Sequence, residues 1–279
     1  MNVFRIGLGS YAFTWACGVR GYPLPAHPWS ATHLLEKAAE LGVEVVQIAD
    51  NIPLAELNEK KLRILRAFSE TKNVAIEVGT KGTNPELLVR YVDIAAFFNS
   101  PILRTLIVEE NPKASEKEYL EKAESQIREV LPALEEKGII LAVENYERYT
   151  SGSLKRLVDN LQSSYVGVCL DTVNSFGVPE DQQRTIETLA PATVNLHVKD
   201  FRIARLPHTM GFLLEGTPTG EGMLDIDALI KTLPAKEMPI SAIIELWTPY
   251  QGDIQETVRI ESEWAERSVT NLRRILKDG

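Results

Sequence analysis

Short apolar runs rich in Val, Ile and Leu recur along the chain at residues 4–8, 43–48, 74–78, 102–108, 139–143, 165–170, 193–198 and 240–246. Amphipathic segments separate them, and this alternation constrains the fold more than any other feature. A continuous apolar run suits a strand buried on both faces, as in a parallel sheet covered by helices. Between the runs, residues 31–41 set Leu34, Leu35, Ala38 and Leu41 at helical spacing. Residues 115–137 align Tyr119, Leu120, Ala123, Ile127, Val130, Leu131 and Leu134 on one face. Pro132 falls inside this second helix and is expected to bend it. Gly42 and Gly138 each stand between a helix and the next strand, where a left-handed cap is expected. A last, long helix is expected over residues 255–277, with its charges outward.

Eight strands, each followed by a helix, predict an α/β protein: a (β/α)8 TIM barrel, in a single domain over residues 1–279. A doubly wound open sheet is the alternative, but no G-x-G-x-x-G follows the first strand. The composition, 44% hydrophobic and 25% charged, is that of an ordinary globular protein. A formal charge of −9 repels a phosphate backbone, so nucleic acid is not an expected partner. No apolar run reaches the roughly 20 residues of a membrane span. The start, MNVFRIGLGSYAF, lacks the basic flank and long apolar stretch of a signal peptide, so a cytoplasmic protein is expected. Cys17 and Cys169 are too few for a disulfide framework. A homo-oligomer stays open.

Functional side chains of a barrel collect at the C-terminal ends of its strands. The fifth run is followed by Glu144 and the sixth by Asp171, while His197, Lys199 and Asp200 stand at the end of the seventh and Glu245 at the end of the eighth. One carboxylate there would be read as a cap or an ion-pair partner. Four consecutive strands delivering such groups to one rim are a different case, because burying several unpaired carboxylates is very unfavourable. A divalent cation bound by Glu144, Asp171, His197 and Glu245 resolves that repulsion. Three carboxylates and one imidazole suit Mn²⁺ first, then Mg²⁺ or Co²⁺. Zn²⁺ is the less fitting choice, since it more usually has further His or Cys ligands.

The runs VEN, CLDT, HVKD and IIELW, in that order, resemble the xylose isomerase-like TIM barrels, the sugar isomerase/epimerase superfamily that includes endonuclease IV. The GEG of residues 220–222 extends the resemblance over nearly the whole chain. It implies that Glu144, Asp171, His197 and Glu245 hold one metal ion, with Glu144 and Glu245 doubling as catalytic acid and base on opposite faces of a small carbohydrate. Epimerases of this group usually carry a His three residues after the metal-binding Asp, where this chain has Asn174. They tend to carry a second Glu where this chain has Thr150, with Glu147 nearer. With four histidines in all, the chain cannot supply the ligands of endonuclease IV. The first reading is therefore a metal-dependent isomerase or epimerase of a small sugar or sugar derivative, working through an enediolate. The alternative is a lyase, a dehydratase or decarboxylase, acting on an oxo-sugar acid or cyclic polyol. Asn174 and the cations Lys199, Arg202 and Arg205, the last two in a long loop after the seventh run, favour the alternative, since cations suit a carboxylate substrate.

Further substrate contacts are expected from Lys199, Arg202, Asn174, Glu147 and Trp15. Trp15 belongs to an aromatic set with Tyr11 and Phe13 that would form an apolar wall, or else pack beneath its loop. Gln47 either bonds a substrate hydroxyl or fills the barrel. Arg104, midway along a buried run, is expected to pair with Glu77 or another inward carboxylate. His208 reads as a surface residue, and neither Cys169 nor Cys17 as a nucleophile.

Overall fold

The computed structural model describes residues 4–108, 113–236 and 238–278, so both ends of the expected 1–279 domain lie outside the described residues. The strands are β1 (Phe4–Gly9), β2 (Val45–Ile48), β3 (Ala75–Gly79), β4 (Ile102–Leu106), β5 (Ile140–Glu144), β6 (Val166–Asp171), β7 (Thr193–Val198), β8 (Asp200–Arg205), β9 (Phe212–Thr217) and β10 (Ile240–Ile244). The helices are α1 (Thr14–Cys17), α2 (Ala31–Leu41), α3 (Glu59–Lys72), α4 (Pro85–Phe98), α5 (Glu116–Lys137), α6 (Ser151–Leu161), α7 (Gln182–Leu189), α8 (Ile226–Thr232) and α9 (Ile254–Asp278). β1 to β7 and β10 pair in parallel and close into a barrel in the order β1-β10-β7-β6-β5-β4-β3-β2. Each of the eight apolar runs overlaps one of these strands. No helix among the described residues is long and apolar enough to cross a membrane.

Local sequence explains where the helices stop. Gly42 and Gly138 adopt the expected left-handed conformation, at φ +61° and +66°. Asn73, Asn99 and Gln162 take the same turn at φ +50° to +55°, and Asn is the residue that best tolerates it after Gly. Ser115 and Glu118 form a reciprocal capping box at the start of α5. That helix runs unbroken from Glu116 to Lys137 with Pro132 inside it.

One segment departs from expectation. The stretch after β7, read as a long loop, contains the antiparallel hairpin β8–β9, paired from Asp200↔Thr217 to Arg205↔Phe212. The FRIAR and FLLEG segments alternate too weakly to mark strands, and the six-residue turn carries no Asn-Gly or Asp-Gly signal.

The long α9 ties the C-terminal part of the chain to the first βα loop. Glu261, 1% exposed, accepts hydrogen bonds from the backbone N–H groups of Trp15 and Ala16, both at 2.9 Å. Burial pushes its carboxyl up to about 8, against the pull of those N–H donors. The folded chain therefore keeps a proton that the unfolded chain releases above its ordinary value of 4.5. The resulting stability is complete below that value and is lost as pH rises through 8. Relative to Glu261→Gln, the wild type is expected to lose on the order of 1 kcal/mol per pH unit across this window. Thermal melts from pH 5 to pH 9 check this, and parallel pH profiles for the two proteins would refute it.

Candidate active site

The barrel brings the four expected ligands to one point. Glu144 ends β5 and Asp171 ends β6. His197 sits on β7 opposite Asp171 and Ile243, and Glu245 follows β10. All four are at most 1% exposed. One donor atom from each lies within 4.8 Å of the others. His197 Nδ1 stands 3.3 Å from Glu144 Oε2, 3.4 Å from Glu245 Oε1 and 3.9 Å from Asp171 Oδ2. Gly9 makes room for this set, since a Cβ there would fall 2.9 Å from Glu245 Cγ.

Surrounding groups aim these side chains. Asp171 Oδ1 accepts from the backbone N–H of Val173 and Asn174, at 2.9 and 2.8 Å, which leaves Oδ2 facing the cluster. The Asn145 amide bridges β5 to β6, donating to the Asp171 carbonyl and accepting from its N–H. Glu144 is engaged at both oxygens. Asn174 Nδ2 donates to Oε1 at 2.7 Å, and the buried Arg104 Nε donates to Oε2. Arg104 therefore pairs with Glu144 and, at 3.5 Å, with Asp50: of the two partners the sequence allowed, it takes another inward carboxylate and not Glu77. Lys199, 7% exposed, places Nζ 2.7 Å from Asp171 Oδ2 and 2.9 Å from Glu245 Oε2.

Burial opposes charge on every one of these groups, and neighbours decide which charges survive. Against burial, Arg104 and His197 hold the Glu144 carboxyl down to about 2. Likewise His197 and Lys199 hold Glu245 well below the usual range. At Asp171 burial prevails over Lys199 and the carboxyl is raised. Burial disfavours imidazolium at His197, yet the group is held well above its usual value. Glu245 and Glu144 account for this, since the Cys169 thiol beside it, pushed up to about 11 by burial, is neutral near pH 7.

The donor set fits a divalent cation. Asp171 Oδ2, His197 Nδ1 and Glu245 Oε1 are buried without a hydrogen-bond partner among the described residues, although Lys199 lies in ionic contact with the first. Buried polar atoms are normally satisfied. Three such atoms converging on one point are what a ligand site looks like, and hard carboxylate oxygens with one imidazole suit Mg²⁺, Mn²⁺ or Co²⁺.

Of the other expected contacts, Asn174 and Lys199 belong to this cluster. Trp15 makes no hydrogen bond to it among the described residues. It is half-buried, donates Nε1–H to the Thr248 carbonyl at 2.7 Å, and packs against Tyr22 and Tyr250. Phe13 is fully buried on Trp29, so its role is packing. Glu147 is exposed, with its backbone packed on Gly177. Arg202 extends from β8, 62% exposed, and pairs with Glu215 across the hairpin instead of reaching the cluster. The hairpin carries Arg202 away from the rim, which a loop reading did not anticipate. The GEG turn is plugged internally: Gly220 and Gly222 donate backbone N–H to Asp200 Oδ2 at 2.8 and 2.9 Å. Gly222 is required there, since a Cβ would lie 2.2 Å from Asp200 Oδ1.

Residues 35–274 match the family model of the xylose isomerase-like TIM barrel. The chain belongs to this family. The chain is 34% identical over 267 residues to the 3-oxo-isoapionate decarboxylase of Pectobacterium atrosepticum, covering 96% of this chain and 94% of the relative. Among solved structures it is similar to D-psicose 3-epimerase determined in the presence of D-fructose (TM-score 0.72, 14% identity, 98% of this chain and 99% of the other). It is also similar to a xylose isomerase-like TIM barrel protein from Mycobacterium smegmatis in complex with magnesium (TM-score 0.68, 15% identity, 96% and 97%). At these identities the structural likenesses show the fold, which is one that houses sugar-processing enzymes.

Proposed function

We propose that the chain is a metal-dependent lyase that decarboxylates an unphosphorylated 3-oxo sugar acid, with Glu144, Asp171, His197 and Glu245 holding the cation. One observation carries the choice of reaction: both oxygens of Glu144 are already taken by fixed donors, Arg104 and Asn174. Epimerisation or isomerisation, which the sequence placed first and the likeness to D-psicose 3-epimerase favours, calls on Glu144 and Glu245 to move protons. A carboxylate held by a buried guanidinium is a poor proton acceptor. Decarboxylation of a 3-oxo acid needs no C–H abstraction, and the 34% identity to a decarboxylase supports it.

The bond between the carboxylate carbon and its neighbour breaks, CO₂ leaves, and the electron pair passes into the adjacent oxo group. The cation, when bound, supplies Lewis-acid charge for that oxygen. Lys199 attracts the substrate carboxylate and then returns a proton to the carbon that CO₂ has left. Arg104 and Asn174 keep Glu144 ionised and oriented. The short hairpin and GEG turn support an unphosphorylated substrate, because the post-strand-7 turn, where barrels often bind phosphate, donates its N–H groups to Asp200.

Carbon dioxide release from a set of 3-oxo sugar acids, measured alongside epimerisation of free ketoses, tests this reading. Turnover is expected with the acids and not with the ketoses, and the reverse pattern would overturn it.

A further inference from the structure

Beneath the cluster, the barrel interior holds a layer of polar side chains where such barrels usually carry Val, Ile or Leu. Gln47 on β2, Glu77 on β3, Asn195 on β7 and Ser241 on β10 are all at most 4% exposed and meet across the barrel axis. Glu77 has no cationic partner among the described ion pairs. It accepts from three neutral donors: Ser241 Oγ, Gln47 Nε2 at 3.1 Å and Asn195 Nδ2 at 3.1 Å. A buried carboxylate without a cation is costly compared with an apolar filler of the same size. Its presence calls for a role that an apolar layer would not fill.

The hydrogen bonds define that role. Gln47 Nε2 donates to Glu77 Oε2 and, at 3.0 Å, to Asn195 Oδ1. With both amide protons committed, Gln47 Oε1 is turned toward His197 Nε2, 2.6 Å away. Flipping the amide would set its oxygen against two other oxygens that carry no proton. Gln47 therefore accepts from His197 Nε2–H, so that the neutral ring, the form a metal ligand takes, has its lone pair on Nδ1, the ring atom that faces Glu144 and Glu245 and has no hydrogen-bond partner among the described residues.

We propose that Glu77, acting through Gln47, is a positioning residue that fixes the His197 tautomer so that Nδ1 is the metal-ligating nitrogen. This rests on the reading of the cluster as a cation site. Glu77 sets the polarity of the relay because a carboxylate only accepts. Replacing it with an amide, Glu77→Gln, lets Gln47 turn over and present NH₂ to His197.

The test combines Mn²⁺ titration calorimetry with ¹⁵N NMR of the Mg²⁺-saturated protein, whose four histidines allow His197 to be assigned by comparison with His197→Asn. In the wild type, a protonated Nε2 with a hydrogen-bonded proton is expected, and Nδ1 without one. Glu77→Gln and Gln47→Leu are expected to weaken Mn²⁺ binding about 10- to 100-fold, the usual effect of losing a partner that orients a ligand, and to lose the Nε2–H signal. A proton on Nδ1 in the wild type overturns the inference without any variant. So does Mn²⁺ affinity within about twofold of wild type in folded Glu77→Gln. Wild-type protein that takes up no Mn²⁺ overturns the cation-site reading itself, and the inference with it.

Discussion

Asp171→Ala and His197→Ala are expected to yield folded barrels that no longer retain a divalent cation after dialysis. Each removes one of four donors whose atoms lie within 4.8 Å of one another. Loss of a ligand should exceed the roughly 10- to 100-fold cost of losing a supporting partner. The fold should survive, because Asp171 and His197 sit at the rim end of their strands and the apolar core that the strands share with the helices is untouched. Removing one carboxylate from a group of three also relieves repulsion. A ligand that binds only the folded state raises its stability in proportion to the logarithm of its concentration over Kd. Added Mn²⁺ should therefore raise the Tm of the wild type and leave both variants unmoved. Elemental analysis showing stoichiometric metal in either variant would contradict the assignment.

Lys199→Met is expected to move activity and metal affinity in opposite directions. The Lys199 ammonium is paired with Asp171 and Glu245, two of the proposed ligands, at 2.7 and 2.9 Å. It competes with the cation for the same oxygens, so its removal should tighten Mn²⁺ binding. Without it the substrate carboxylate loses its counter-charge and the product carbon its proton donor. A fall in kcat of at least about 10²-fold at saturating metal follows, the usual scale for general-acid catalysis. The protein without added metal should also be less stable by about 3–5 kcal/mol, because two buried carboxylates lose their partner. A purely structural lysine would give the stability loss alone, with unchanged kcat once metal is restored. Titration calorimetry and steady-state kinetics on the one variant separate these outcomes.

The architecture was legible because parallel strands buried on both faces must be apolar throughout, so each run marked its strand. The cluster was legible for a related reason. A carboxylate or imidazole closing such a run, as Glu144 and Asp171 do, stands out against its neighbours. What could not be read is how side chains meet across the barrel. Arg104 was visible as a buried cation, but its choice of Glu144 over Glu77 depends on the stagger between β3, β4 and β5. Gln47 and Glu77 were separately visible, and nothing in their spacing announced that they meet Asn195 and Ser241. The pairing of Arg202 with Glu215 was hidden because a weakly alternating hairpin looks like a loop until its cross-strand bonds are seen.

The central claim is that this site breaks a carbon–carbon bond instead of shuttling a proton between faces. It is tested most directly with a 3-oxo sugar acid labelled with ¹³C at its carboxyl, incubated with Mg²⁺-loaded enzyme in D₂O and followed by NMR. The account requires labelled bicarbonate to form in step with product, one deuterium on the carbon that lost the carboxylate, and none in ketoses offered alongside. Deuterium entering a ketose at an inverted centre, with no labelled bicarbonate from the acid, would contradict it.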